Sequence, residues 1–334
     1  MSVKHLGVIV LAAGEGTRMK SNKPKVMHEL AGMPLLGHVL STAHSLGAAH
    51  VIPVIRHQRD VLAEYINAFY PTSVIADQDE VPGTGRAVEC GLAALPADFN
   101  GAIVVTSGDV PMLQVDTIEA LIQAHLDGGF AATVLSTIAD DPTGYGRIVR
   151  TNDGEFQSIV EHKDATEAQH AIQEVNAGVY VFDSALLREA LPKLGSANAQ
   201  GEKYLTDVIT AALDAGQTVQ ALAVEDFWQV AGINDRIQLA EVAAELNARI
   251  CEAWMSAGVT ILDPTSTWID VTVQLAQDVT ILPGTYLHGF TKIETGAVVG
   301  PEVVLVDVEV GEGAKVVKSH ATGSKIGAGA TVGP

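Results

Sequence analysis

The chain has 334 residues, 47% of them hydrophobic and 18% charged, with 40 acidic against 20 basic side chains and a formal net charge of −20. Such a length exceeds one ordinary core and predicts about two to three domains, while the composition is that of a packed soluble protein and not a disordered one. The acidic balance argues against nucleic acid or an anionic membrane surface as a partner, and Cys90 and Cys251 are too few for a disulfide framework or a thiolate metal site, as in a reducing cytosol.

The first element is an apolar run, Val8–Ala13, that breaks into Gly14-Glu15-Gly16. It lacks the length and small-residue cleavage site of a signal peptide, and no stretch approaches the ~20 apolar residues of a membrane span, so a cytoplasmic protein is expected. Residues Leu11–Lys25 read LAAGEGTRMKSNKPK and gather Arg18, Lys20, Lys23 and Lys25 after the glycine turn. In a chain this acidic, four cations beside a glycine loop point to a small polyanionic ligand. Free backbone N–H groups can meet phosphate oxygens there, and Arg18 and Lys25 can spread over charge that moves during nucleotidyl transfer. A dinucleotide fingerprint would need glycine where Met19 stands, and the P-loop string is absent. A bare strand-to-helix turn is the commoner use of such a loop; the cations and the Pro24-Lys25 pair set this one apart.

Short apolar runs then alternate with helical patterns. Val51–Ile55, Ile103–Thr106, Ala131–Ser136 and Val175–Phe182 read as strands, and Leu35–Leu46, Arg86–Leu95 and Val115–Leu126 read as helices. This alternation predicts an α/β domain, a Rossmann-like, mixed and mostly parallel sheet with helices on both faces, over residues 1–236. Ligands of such sheets sit beyond the carboxyl ends of the strands, where Gly14 and Gly108-Asp109 fall. Leu239, Val242, Leu246, Ile250 and Trp254 lie three or four residues apart and predict a connecting helix over 237–257. From 258 onward Ile269, Leu275, Ile281, Leu287, Ile293, Val299 and Leu305 recur every six residues, and Val310/Val316 and Ile326/Val332 continue after a phase shift. That period predicts a left-handed parallel β-helix in which each hexad supplies a strand and a corner. The repeat reaches Pro334 without a capping coil, so the β-helix is expected to be incomplete.

The motifs together resemble a known family, the bifunctional bacterial enzymes of UDP-N-acetylglucosamine synthesis that join N-acetylglucosamine-1-phosphate uridylyltransferase to glucosamine-1-phosphate acetyltransferase. The resemblance rests on Leu11–Met19, Pro24-Lys25, Gly83–Gly85, Gly108–Pro111, Asp140–Ile148, Val160–Ala165, Glu174–Val179, Gln200–Asp207 and Gly232–Arg236. The first motif alone would indicate only a sugar-nucleotide transferase. Glu161-His162-Lys163-Asp164-Ala165 after Gly144-Tyr145-Gly146-Arg147, with a hexapeptide repeat following, is far narrower. Arg86 stands where the family more often shows histidine, and Gln78–Pro82 is less typical.

The resemblance implies that Leu11, Ala12, Ala13, Gly14, Gln78, Gly83 and Thr84 hold the uridine and that Ser107, Gly108 and Asp109 line the substrate site. It further implies that Gly146, Glu161 and Asn176 hold the amino sugar, that Asp109 and Asn234 ligate Mg²⁺, and that Arg18 and Lys25 meet the phosphates. By residue type alone, the alternative for Asp109 is a turn cap before Pro111, and for Asn234 a helix cap. The implied substrates are UTP and N-acetylglucosamine-1-phosphate, and the products UDP-N-acetylglucosamine and pyrophosphate. The implied assembly is a homotrimer through the β-helix. Acetyl-CoA would serve the family's second activity, whose residues lie further along the β-helix than Pro334, so acetyl transfer is not expected. No His-x-His or His-Glu-x-x-His spacing occurs, so the 11 histidines read as structural or surface residues. The alternatives are a nucleotidyltransferase for another sugar-1-phosphate and a non-catalytic assembly subunit; the latter would be expected to lose the carboxylate or the loop cations.

Overall fold

The computed structural model describes residues 5–196, 198 and 200–334, in two compact units. The first comprises residues up to His28 and Leu35–Asp235; the second comprises Glu29–Pro34 and Arg236–Pro334.

The first unit opens with β1 (Leu6–Ala12), and after it the hairpin strands β2 (Glu29–Leu30) and β3 (Met33–Pro34) belong to the second unit. The first unit continues with α1 (Leu35–Ser45), β4 (His50–Ile55), α2 (Arg59–Phe69), β5 (Ala76–Asp77), α3 (Thr84–Ala93), β6 (Ala102–Ser107) and α4 (Val115–Gly128). Then come β7 (Ala132–Ile138), β8 (Arg147–Arg150), β9 (Phe156–Val160), the single turn α5 (Glu167–His170) and β10 (Glu174–Asp183). It closes with α6 (Ser184–Ala190), α7 (Thr206–Asp214) and β11 (Val219–Ala223). The five strands and three helices expected from the alternation are present, with ends that differ by no more than two residues because apolar runs do not mark where pairing stops.

The strands form one mixed sheet in the order β11-β7-β10-β6-β1-β4-β5, with β8 pairing β10 and β9. Pairs β1–β4, β1–β6, β4–β5 and β7–β11 are parallel, whereas β10 runs antiparallel to β6 and β7. The central strands are buried on both faces. Ile9, Ile52 and Ile103 pack into one apolar cluster and Val8, Val51 and Val104 into another, so each strand reads as a continuous apolar run with no alternation. Helices cover both faces, and the loops at the carboxyl ends of β1, β4 and β6 open side by side.

The second unit holds α8 (Arg236–Ser256) and a β-helix of three parallel sheets. Ile269 pairs in register with Leu287 and Leu287 with Leu305, so one coil takes 18 residues, or three hexads. All seven residues of the six-period are buried. The phase shift has a simple origin: Ile293 pairs with Val310 and Val310 with Ile326, so successive coils contract to 17 and then 16 residues by shortening their corners.

The stripe expected on α8 serves packing in part: Val242 is buried and Ile250 and Trp254 are half-buried against the β-helix core, and two further buried residues of the helix, Asn247 and Cys251, lie outside the stripe. Asn247 donates to the Thr267 carbonyl at 2.8 Å and accepts from Ile269 N–H at 3.1 Å, so its amide completes the open backbone of the first coil. A search for apolar periodicity passes over such a residue. The hairpin 29–34 was likewise expected within the first domain. It clusters with the second unit, where Ala31 accepts a backbone hydrogen bond from Val271.

Candidate active site

The glycine turn after β1 is shaped by its neighbours. Gly16 has φ +63°, and a Cβ there would run into the side chain of Lys25, so only glycine lets the lysine lie across the turn. Met19 is buried and anchors the short 3₁₀ turn Thr17–Met19, which accounts for an apolar residue where a dinucleotide loop has its third glycine. Pro24 leads into a second 3₁₀ turn, Lys25–Met27, whose buried Val26 and Met27 hold Lys25 at the edge of the sheet.

Four residues from three distant segments meet beyond this turn. Lys25 Nζ donates to Asp109 Oδ2, forming an ion pair in which both side chains are largely shielded from water. Lys25 Nζ also lies 3.3 Å from Asn234 Oδ1, and Arg18 Nη2 donates to the same oxygen at 2.8 Å. Backbone bonds fix the two oxygen-bearing residues: Gly108 N–H donates to the Leu11 carbonyl at 2.8 Å, and Ile233 N–H to the Asp109 carbonyl at 3.0 Å. A carboxylate and an amide oxygen thus converge on one cationic atom at the carboxyl ends of β1 and β6.

A cleft of about 440 Å³ opens from this point, bordered by Leu11–Gly14, Lys25, Gln78, Gly83-Thr84, Ser107 and Asp109. Its volume falls within the range of small-molecule sites. Gln78 Nε2 donates to the carbonyls of Val81 (2.9 Å) and Gly83 (3.3 Å), folding the loop that forms one wall. Gly83 (φ +116°) has the Lys203 backbone where a Cβ would stand. Gly85 N–H donates to the Lys203 carbonyl at 2.8 Å, and Leu205 N–H to Thr84 Oγ1 at 3.0 Å. The segment 200–207 therefore braces the glycine loop from behind.

Gly146, Glu161 and Asn176 also come together. Asn176 N–H donates to the Gly146 carbonyl at 2.8 Å, and a Cβ at Gly146 would lie 3.5 Å from Glu161 Oε2. Thr206 Oγ1 donates to Glu161 Oε1 at 3.2 Å, and burial pushes the Glu161 carboxyl above the usual carboxylate range. The Asn176 side chain donates to Tyr180 Oη at 2.7 Å and accepts from Gly178 N–H at 3.0 Å, across an irregularity in the β7–β10 pairing. Arg147, with its side chain fully buried, donates from Nη1 to the Tyr145 carbonyl and so holds the turn that delivers Gly146.

Three further groups escaped the sequence reading. Arg56 and Glu202 line the cleft, and burial, with the Asp109 charge adding to it, holds the Tyr145 hydroxyl above its ordinary pKa beside the Gly232 backbone. Arg56 stands just past β4, where strand-end reasoning could have found it; Tyr145 carried no signal beyond its place before Gly146. His162 and His170 meet edge to face, with ring centroids 4.7 Å apart.

Residues 8–213 match the family of MobA-like NTP transferase domains. The bifunctional protein GlmU of Clavibacter sepedonicus is 55% identical over 329 residues, covering 98% of this chain and 67% of that protein. Proteins of the same name from Kineococcus radiotolerans (55% over 327 residues, 98% and 66%) and Micrococcus luteus (51% over 346 residues, 100% and 70%) are similar throughout. The chain thus spans about two thirds of the length of the curated relatives it matches.

Proposed function

Since the chain belongs to the GlmU family and is a nucleotidyltransferase by its MobA-like domain, we propose that it transfers UMP from UTP to N-acetylglucosamine-1-phosphate, giving UDP-N-acetylglucosamine and pyrophosphate. The observation that carries this reading is the convergence of Arg18, Lys25, Asp109 and Asn234 at one end of the cleft. Gln78, Gly83 and Thr84 lie along that cleft and take the uridine, while Gly146, Glu161 and Asn176 take the amino sugar.

Mg²⁺ fits the donor set. Asp109 Oδ2 and Asn234 Oδ1 already face a single cation, the Lys25 ammonium, and an ion held by this one carboxylate and one amide oxygen would draw its remaining ligands from phosphates and water. When bound there, the ion would offset charge on the triphosphate and the departing pyrophosphate.

The chemistry is an in-line exchange. An oxygen of the sugar phosphate forms the new bond to the α-phosphorus of UTP as the bond from that phosphorus to the bridging oxygen of the pyrophosphate breaks. The attacking oxygen is already ionised near neutral pH, so no proton has to move and no general base is called for. Arg18 and Lys25 bind phosphate oxygens, and the glycine turn offers N–H groups to the same charge. Lys25 exchanges its pairing with Asp109 for one with substrate. The family's trimer is retained in this reading, with the outward ladder Trp268–Tyr286–Val304 on one face of the β-helix as a surface suited to it.

Pyrophosphate release measured across four nucleoside triphosphates and several sugar-1-phosphates tests the assignment. UTP with N-acetylglucosamine-1-phosphate should stand well above all other pairs, and a different preferred pair would replace the substrates while keeping the site.

A further inference from the structure

The loop that walls the nucleotide cleft, Asp77–Thr84, carries three acidic residues, and each meets an arginine from outside it. Arg59 holds Asp77 through two bonds of 2.8 and 3.3 Å. Arg86 holds Asp79 through three, at 2.5 to 3.2 Å, and keeps that carboxyl low, at about 2. The third pair is different: Arg56 reaches Glu80 through one contact of 3.1 Å, and the Glu80 side chain is 98% exposed. Arg56 is also the one arginine of the three that lines the cleft. It directly follows β4, beside the carboxyl end of β1, and its other N–H groups take no partner among the described residues.

Gln78 complements it. Both bonds of the Gln78 amide run from Nε2 to loop carbonyls, so Oε1 is left as an acceptor at the same wall. An acceptor beside a guanidinium matches a base edge that alternates carbonyl, N–H and carbonyl. That is the imide edge of uracil; cytosine offers a ring acceptor and an amine donor in its place. A site with both kinds of group rejects a base that leaves them unpaired or facing like groups.

Resting on the reading of this cleft as a UTP site, we propose that Arg56 is a specificity-determining residue that donates to a uracil carbonyl while Gln78 accepts from the imide N–H. The weak tie to Glu80 then keeps the guanidinium near the base without committing it.

The test compares Arg56→Met, Arg56→Lys and Glu80→Gln with the unaltered protein, measuring kcat/KM for UTP, the inhibition constant of CTP, and KM for the sugar phosphate. Arg56→Met should lower kcat/KM for UTP by about tenfold, the scale of one charged hydrogen bond, with CTP inhibition and sugar-phosphate KM unchanged. Arg56→Lys should fall between, and Glu80→Gln should keep UTP efficiency. Equal losses for UTP and CTP would mean that Arg56 only attracts the triphosphate, and a loss in Glu80→Gln as large as in Arg56→Met would mean that it only holds the loop; either overturns base reading. An Arg56→Met protein as efficient as the parent overturns it too. An unaltered protein inert toward UTP overturns the functional reading itself, which separates the two failures.

Discussion

The two units of this chain encode their structures in opposite ways. In the β-helix, residues that touch are one coil apart: Ile269, Leu287 and Leu305 stack because the same residue type returns every 18 positions. In the first unit the residues that matter most to each other, Arg18, Lys25, Asp109 and Asn234, come from three segments far apart in the sequence. Repetition yields a scaffold whose energy is spread evenly over many apolar contacts. A converging site concentrates function in a few polar groups that add little to stability, and the two regions should therefore fail differently when altered.

The largest effect is expected at the convergence. Arg18→Ala, Lys25→Ala and Asp109→Asn should each lower turnover by about 10²–10³, as for other preorganised charged groups, with the melting temperature nearly unchanged. Parallel losses of activity and melting temperature would erase the contrast between site and scaffold. In the β-helix the reverse is expected. Leu287 is fully buried, so Leu287→Ala should cost about 2–5 kcal/mol of stability, read by thermal or denaturant unfolding, while the transfer rate below the transition stays near that of the parent.

The legibility of the sequence follows the same division. The six-residue period exposed the β-helix because each coil repeats its own solution, and only the shortened corners at 17 and 16 residues disturbed it. The sheet of the first unit was legible because its central strands are buried on both faces and appear as uninterrupted apolar runs. The reversed direction of β10 and the β8–β9 hairpin were not, since direction leaves no mark in hydrophobicity. In the site, the glycine turn and its cations stood out against an acidic chain, and Asp109 was marked by its strand end. Asn234 had no signal of its own: a backbone bond from Ile233 to Asp109 brings it in. Asn247 on α8 and the hairpin 29–34 were missed for a related reason, because polar groups that complete another segment's backbone look like surface residues until that segment is seen.

Smaller effects sharpen the comparison within the first unit. Burial raises the Glu161 carboxyl, so it gains its proton at a higher pH than an exposed glutamate. A carboxylate that accepts from sugar hydroxyls is lost on protonation; KM for the sugar phosphate should therefore rise as pH falls through that raised value, with KM for UTP nearly flat. Glu161→Gln should start from a KM about tenfold higher and lose the pH dependence. Stability responds in the opposite sense: the folded state binds this proton more tightly than the unfolded chain, so ionised Glu161 opposes folding and the opposition disappears toward acid. The smallest effects belong to Lys20 and Lys23, both exposed on the loop. Alanine at either should change kcat/KM by about threefold or less, and added salt should abolish the difference.

The central claim is that a diphosphate and a divalent ion lodge where these four side chains meet. Diffraction from crystals grown with UDP-N-acetylglucosamine and Mn²⁺, collected for anomalous signal, tests it most directly. The account predicts one strong peak between the Asp109 carboxylate and the Asn234 amide oxygen, with the diphosphate against Arg18 and Lys25. A peak or a sugar nucleotide bound away from the Gly14–Gly16 turn would contradict it.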